Sequence, residues 1–269
     1  MPRSAATRNA WIMLCTAILV GGLAVVIKLV FDEMRDPDSL CVRGKEHGQT
    51  IVMIDKTDMW NTNQSDRLEA HVLGILNNDM KQEERLHVFS FGAVVEAGFK
   101  AHYSACKPPD GSKCRGFFCN PKQLEDQYKE RFLAPLLAEL KTLKIATQGA
   151  CSPIAEAMYD VMSRSEMKIQ PGLTRVVLIS DLAQNTPVYT AFRAPQSCPG
   201  VTGKIDPDKD NGLLAFFDKR RPEMRTVEGS AVVFQVTPGG RSQEVADRAK
   251  RKWDEVFQLL KFAVRWEKL

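Results

Sequence analysis

The sequence predicts an α/β fold, a doubly wound and mostly parallel sheet, preceded by one N-terminal transmembrane helix. Two observations carry this. Continuous apolar runs of strand length alternate with stretches whose apolar residues recur at helical spacing, the pattern of a sheet covered on both faces. Ahead of them, residues 10–27 (AWIMLCTAILVGGLAVVI) contain no charge, and Leu29, Val30 and Phe31 prolong the run past Lys28.

At a rise of 1.5 Å per residue an 18-residue helix is about 27 Å long, close to a bilayer's hydrocarbon core. Trp11 and Lys28 stand where interfacial anchors belong. Arg3 and Arg8 precede the run, whereas Asp32, Glu33, Asp36 and Asp38 follow it. The positive-inside rule then divides the chain into a cytoplasmic tail (1–9), a transmembrane anchor (10–31), a linker (32–50) holding Pro37, Gly44 and Gly48, and an exported domain (51–269). The rival is a cleaved signal peptide, but the run is long for one and no clear Ala-x-Ala site follows.

Composition narrows the partners. The first 31 residues hold three basic side chains and no acid; removing those three from the 37 in the chain leaves 34 basic against 33 acidic ones. A near-neutral domain has no electrostatic case for nucleic acid. Apart from Cys15 in the anchor, six cysteines remain: Cys41, Cys106, Cys114, Cys119, Cys151 and Cys198. An even number in an exported domain points to disulfides, and six allow 15 pairings. Cys106, Cys114 and Cys119 crowd the stretch CKPPDGSKCRGFFCNP, which reads as a stapled loop. A zinc knuckle is the competing reading, weakened by spacings of seven and four with no paired histidine nearby.

Within the domain, IVMID (51–55) is the first strand. Leu68, Val72, Ile75 and Leu76 stripe a helix, and LHVFSFGA (86–93) is a second strand. Residues 121–144 read as a helix bent at Pro135. Ile154, Met158, Val161 and Met162 mark the next helix, and TRVVLIS (174–180) a strand. A loop over 182–211 carries Pro187, Pro195, Pro199 and Gly200; a short helix follows over 212–220. SAVVFQV (230–236) is expected to be the last strand, ahead of a helix striped by Val245, Ala249, Trp253, Val256, Phe257 and Leu260.

Ligands of doubly wound sheets bind beyond the carboxyl ends of the strands. The first strand ends in Asp55-Lys56-Thr57-Asp58, the strand 174–180 runs into Asp181, and Ser152-Pro153 opens the helix after Gly149. Carboxylates and hydroxyls are hard oxygen ligands suited to Mg²⁺ or another divalent cation. Asp55, Thr57, Ser152 and Asp181 are therefore the candidate metal ligands, with Asp58 a further carboxylate. Ser152 before Pro153 also suits a plain helix N-cap, so two readings stand for it.

In order and spacing these residues resemble the three metal motifs of the von Willebrand factor A domain. The first is Asp55-Lys56-Thr57-Asp58-Met59, the second Ser152-Pro153-Ile154-Ala155-Glu156-Ala157-Met158, the third Ile179-Ser180-Asp181-Leu182. Met59 stands where the family carries a second metal hydroxyl, and Leu182 where it usually has glycine. The chain is most similar to bacterial members with an Asp-x-Thr-Asp first motif and an Asp-x-x-Gln-Asn-Thr third, here Asp181, Gln184, Asn185 and Thr186. The resemblance implies a non-enzymatic binding module with a Mg²⁺ adhesion site. It would take a protein partner in the cell envelope and be held by its N-terminal helix in the bacterial inner membrane, with the domain in the periplasm. Two alternatives remain: a metal-free structural subunit of an envelope assembly, and a phosphoryl-transfer enzyme of haloacid dehalogenase type with Asp55 as nucleophile. That enzyme class usually has an acidic residue two positions on, where Thr57 stands. His47, His71, His87 and His102 show no Cys/His catalytic pattern, and no Walker-type phosphate loop is present.

Overall fold

The computed structural model describes residues 35–45, 48–57, 62–114, 119–143, 149–168, 174–193, 197–201, 206–224, 229–236 and 242–268, together with 13, 16 and 19–23. Residues 13, 16 and 19–23 are helical, and Met13, Leu19, Val20 and Leu23 are exposed. The remainder of the expected anchor and the whole tail lie outside the described residues. Among the described residues no helix is long and apolar enough to cross a membrane.

The sheet has six strands: β1 (Gln49–Asp55), β2 (Arg85–Phe91), β3 (Tyr103–Cys106), β4 (Thr174–Ser180), β7 (Ser230–Gln235) and β8 (Ala263–Lys268). β5 (Asn185–Thr186) and β6 (Tyr189–Thr190) form a separate two-stranded ribbon. The order across the large sheet is β3-β2-β1-β4-β7-β8, and only the edge strand β3 runs antiparallel. The strands read as solid apolar runs because both faces are covered. Val52, Ile54, Val177, Ile179, Val232 and Phe234 face α1 (Thr62–Asn78) and the helical segment over 121–143. Ile51, Met53, Val176, Leu178 and Val233 face α4 (Ile154–Ser163), α6 (Gly212–Arg220) and α7 (Gln243–Leu259). A short helix, α5 (Ser165–Lys168), follows α4. Fully burying one such side chain contributes about 1.5–3 kcal/mol, so the two cores dominate the stability.

Three sequence expectations are revised. The helix over 121–144 is not simply bent at Pro135. It is α2 (Pro121–Gln127), a π-helical stretch Tyr128–Leu133, and α3 (Ala134–Leu143). Proline lacks an N–H and crowds the carbonyl four residues back, and the wider turns lie just upstream of it. The strand 230–236 is not the last: β8 follows, with Val264 and Trp266 packed on the core while Ala263 and Arg265 are exposed. Charged residues on an edge strand discourage pairing with other chains, and they also blunt the apolar signal. Finally, residues 35–45 of the expected linker are packed. Leu40, Cys41 and Val42 are buried, Cys41 is bonded to Cys106, and Cys106 N donates to Ser39 O at 2.7 Å. Arg35 grips Glu83 through two bonds of 2.6 and 2.8 Å.

The amino ends of the strands are closed by a paired charge network. Arg175 donates to Glu84 Oε1 at 2.9 Å, to Thr50 Oγ1 at 2.8 Å and to Asp79 O at 2.9 Å. His87, alternating within β2, points into the core beside Phe89 and meets Ser104 Oγ through Nδ1 at 3.1 Å. Burial first, then the charges of Arg85 and Arg164, hold its imidazole at a pKa of about 3. The unfolded chain binds this proton near pH 6.5 and the folded chain does not. His87 therefore contributes stability above that pH which is lost as pH falls towards 3. Between pH 6 and 4, wild type should lose about 1.4 kcal/mol per pH unit relative to His87→Asn. Denaturant unfolding of both proteins across that range measures it; parallel pH profiles would show that His87 is not held neutral.

Candidate metal centre

Asp55 closes β1 and Ser180 closes β4, and these strands are neighbours at the centre of the sheet. The chain leaves β1 towards β2 and leaves β4 towards β7, in opposite directions, so the crevice between them is the topological switch point of the fold. Parallel β1 and β4 also align their carbonyl ends here, and the apolar runs that precede each end fix the depth at which polar side chains begin.

Asp55 is 2% exposed and both its oxygens accept hydrogen bonds. Oδ1 takes Thr57 N at 2.9 Å and Thr57 Oγ1 at 2.7 Å, a local turn in which the carboxylate folds the chain back over the strand end. Oδ2 takes Ser180 Oγ at 2.8 Å and Ser152 Oγ at 3.3 Å. Ser152 Oγ and Thr57 Oγ1 are 3.2 Å apart. Three of the four candidate ligands thus meet in one buried cluster, drawn from segments up to 97 residues apart. Asp181 stands one residue beyond Ser180, 3% exposed, its Oδ1 accepting Ala183 N at 2.9 Å. Asp58 and Met59 lie outside the described residues.

The Ser152 hydroxyl does not cap the helix. α4 begins at Ile154 with Pro153 in the N-cap position, and no side chain at that position accepts a hydrogen bond. Ala155 N donates instead to Gln184 Oε1 at 2.9 Å. Gln184 Nε2 reaches Glu156 Oε2 at 2.7 Å and Thr186 Oγ1 at 2.8 Å. The segment before the helix is pinned to the same loop. Ser152 N donates to Asn185 O at 3.2 Å and Asn185 N to Ser152 O at 3.0 Å, while Asn185 Nδ2 donates to Ala150 O at 2.6 Å. A disulfide joins Cys151 to Cys198.

Sequence reasoning gave Ser180 no role. The signal was strand register: Ile54 is level with Ile179, which brings the two following residues side by side. Leu182, where the resembled family usually has glycine, adopts φ 63°, the left-handed region that glycine favours. Its strain is held by Leu182 N on Ser180 Oγ (2.9 Å), Gln184 N on Leu182 O (2.8 Å) and Trp253 Nε1 on Leu182 O (3.1 Å).

The six cysteines after the expected anchor form three disulfides: Cys41–Cys106, Cys114–Cys119 and Cys151–Cys198. The zinc knuckle is thereby excluded for the Cys106–Cys119 stretch, since none of its sulfurs is left as a thiolate. For a hard cation the donor set at the switch point fits by chemistry. Every group is oxygen, and a hydroxyl that donates its proton to a carboxylate keeps lone pairs for an ion. Among the described residues no group of three or more His, Cys, Asp or Glu side chains gathers for a metal. A cation held by two carboxylates and hydroxyls would keep several waters, as Mg²⁺ commonly does.

No protein-family model matches the chain, and no curated protein does. Solved structures similar to it include the human COPII-coat protein Sec24c (12% identity, TM-score 0.43, covering 85% of this chain and 30% of that one). Another is the pilus adhesin SpaC from Lactobacillus rhamnosus GG in an open conformation (9%, 0.46, 84% and 28%). A third is an aerotolerance-related membrane protein from Bacteroides fragilis NCTC 9343 carrying mutations to serine (9%, 0.38, 83% and 91%). This chain spans less than a third of the length of the first two. At these levels of identity and superposition none of the three assigns a family or function to it.

The Leu182 backbone sets a testable inversion. Removing its buried side chain should cost about 2–5 kcal/mol. Glycine normally ranks below alanine, but alanine in the left-handed region carries a penalty of about 1–2 kcal/mol that glycine escapes. Leu182→Gly should therefore be at least as stable as Leu182→Ala in denaturant unfolding, both below wild type. An alanine variant more stable by about 1 kcal/mol would contradict the positive φ.

Proposed function

We propose that this chain is a membrane-anchored, extracytoplasmic binding module of von Willebrand factor A type that captures a protein partner in the cell envelope. Its β1/β4 strand-end face is the docking surface, with Mg²⁺ or a related divalent cation completing the site. The observation that carries this reading is the meeting of Thr57, Ser152 and Ser180 hydroxyls on the buried Asp55 carboxylate at the switch point. A divalent cation bound there would supply an open coordination position that a partner's carboxylate can fill.

The residues divide the work. Asp55 orients Thr57 and Ser152 by accepting from both, and Ser180 fixes the second carboxylate oxygen. Asp181 brings a second negative charge to the strand end. The loop over 182–211, tied down by Cys151–Cys198, rims the face and gives it specificity. The apolar segment 10–31, uncharged up to Lys28, is the anchor. Because residues 35–45 pack on the domain, the tether between anchor and domain is only a few residues long, which favours a partner at the membrane surface.

A metal-free structural role in an envelope assembly is the second reading. It is favoured by the same cluster, because the Asp55 oxygens are satisfied from within the chain. Phosphoryl transfer fits less well. A nucleophilic carboxylate must aim a lone pair at phosphorus, whereas those of Asp55 are directed at four donors in a site 2% exposed.

Mn²⁺ and Mg²⁺ titrations of the full chain in detergent test the proposal. Wild type should bind, and Asp55→Ala and Asp181→Ala should each bind at least about tenfold more weakly, about 1.4 kcal/mol. Equal and negligible binding by all three would remove the cation and leave the structural reading. Turnover of p-nitrophenyl phosphate that disappears in Asp55→Asn would instead establish an enzyme.

A further inference from the structure

Beyond Asp181, the Gln-Asn-Thr part of the string after β4 has no part in the donor set, yet its glutamine is fully buried. Its bonds explain why Ser152 is available to Asp55. A serine followed by proline is a favoured helix start, with serine at the N-cap and proline at the first helical position. In that arrangement the Ser152 hydroxyl would accept from Ala155 N and turn away from Asp55. The chain instead starts the helix one residue later. Pro153 has φ −89° and ψ 56°, outside the helical region, and its carbonyl accepts Ala157 N at 3.0 Å. Proline offers no side-chain acceptor, so the orphan Ala155 N–H is taken by Gln184, 29 residues away. The orientation of that amide is unambiguous. Glu156 can only accept, so Nε2 must face it and Oε1 must face Ala155.

Resting on the cation-binding reading above, we infer that Gln184 is a positioning residue for the metal centre. It takes over the capping of α4 and thereby commits the Ser152 hydroxyl to the Asp55 cluster. Glu156 and Thr186 lock the amide, and the Ser152–Asn185 bridge with the neighbouring disulfide ties the segment ahead of the helix to the loop that carries Gln184. Without Gln184, the local Ser-Pro cap competes for the same hydroxyl.

Mn²⁺ affinity and thermal unfolding of the full chain, read together, test this. Gln184→Ala should weaken Mn²⁺ binding by about 10–100-fold, the usual effect of losing a partner that orients a metal ligand. Gln184→Glu should weaken it as well, because two carboxylates then face each other, and adding Glu156→Gln should restore it by reversing the donor and acceptor. Ser152→Ala should weaken binding in the wild-type background and add no further loss on top of Gln184→Ala. In that second background Ser152 is the helix cap, so its removal should lower the melting temperature by about 2–4 °C more than it does in wild type. A Gln184→Ala protein that melts lower but binds Mn²⁺ as wild type does, or a swapped pair that stays weak, would overturn the positioning role. A wild-type chain that binds no Mn²⁺ would defeat the cation reading alone. The melting-temperature cycle then decides the transfer of the cap, and additive shifts would refute it.

Discussion

One buried carboxylate organises the carboxyl edge of the sheet. Asp55 is placed by the central strand, so it cannot retreat to solvent without unpairing β1 from β2 and β4. An ionised group in such a position must be surrounded by donors or it destabilises the fold by several kcal/mol. Thr57, Ser180 and Ser152 meet that need from the turn after β1, the end of β4 and the lead-in to α4. Each donor segment then requires its own support. Ser180 also accepts the amide of Leu182, whose left-handed backbone is held by Trp253 from the last helix. The Trp253 indole and the strained Leu182 thus tie the apolar core to one of the donors of the polar site.

The same demand explains the division of labour along the loop after β4. Helix starts leave N–H groups that need acceptors. At α4 the nearest hydroxyl is already committed to Asp55, so the acceptor comes from Gln184 across the loop. Asn185 and the Cys151–Cys198 bond hold the two segments in register. What looks in sequence like a lone capping serine and an unrelated polar triplet is one connected network. Its members are set apart along the chain and stacked in space.

That separation marks how far the sequence could be read. The central strands were legible because two-sided burial leaves solid apolar runs, and the helices because one face is striped. Asp55 and Thr57 were legible because polar residues following such runs fall at the strand ends, and Ser152 because Ser-Pro opens a helix. Ser180 and Gln184 were not, since their roles depend on register and on a contact across 29 residues. β3 and β8 are edge strands: β3 is four residues long, and the exposed side of β8 carries charge, so neither has the signature of a buried strand. The polar segment 35–45 reads as linker because what holds it down, Glu83 and Cys106, lies far along the chain. The pairing of six cysteines likewise follows from geometry that spacing does not contain.

The bond from Cys41 to Cys106 has a mechanical meaning. Tension applied to the chain ahead of residue 35 first meets the Arg35–Glu83 ion pair and then a covalent link. Through that link the load is handed to β3 at the rim of the sheet, bypassing β1, the strand that carries Asp55. Non-covalent contacts would let such a pull peel the chain residue by residue into the central strand. With the crosslink closed, the force is shunted around the strand on which the carboxylate cluster is built.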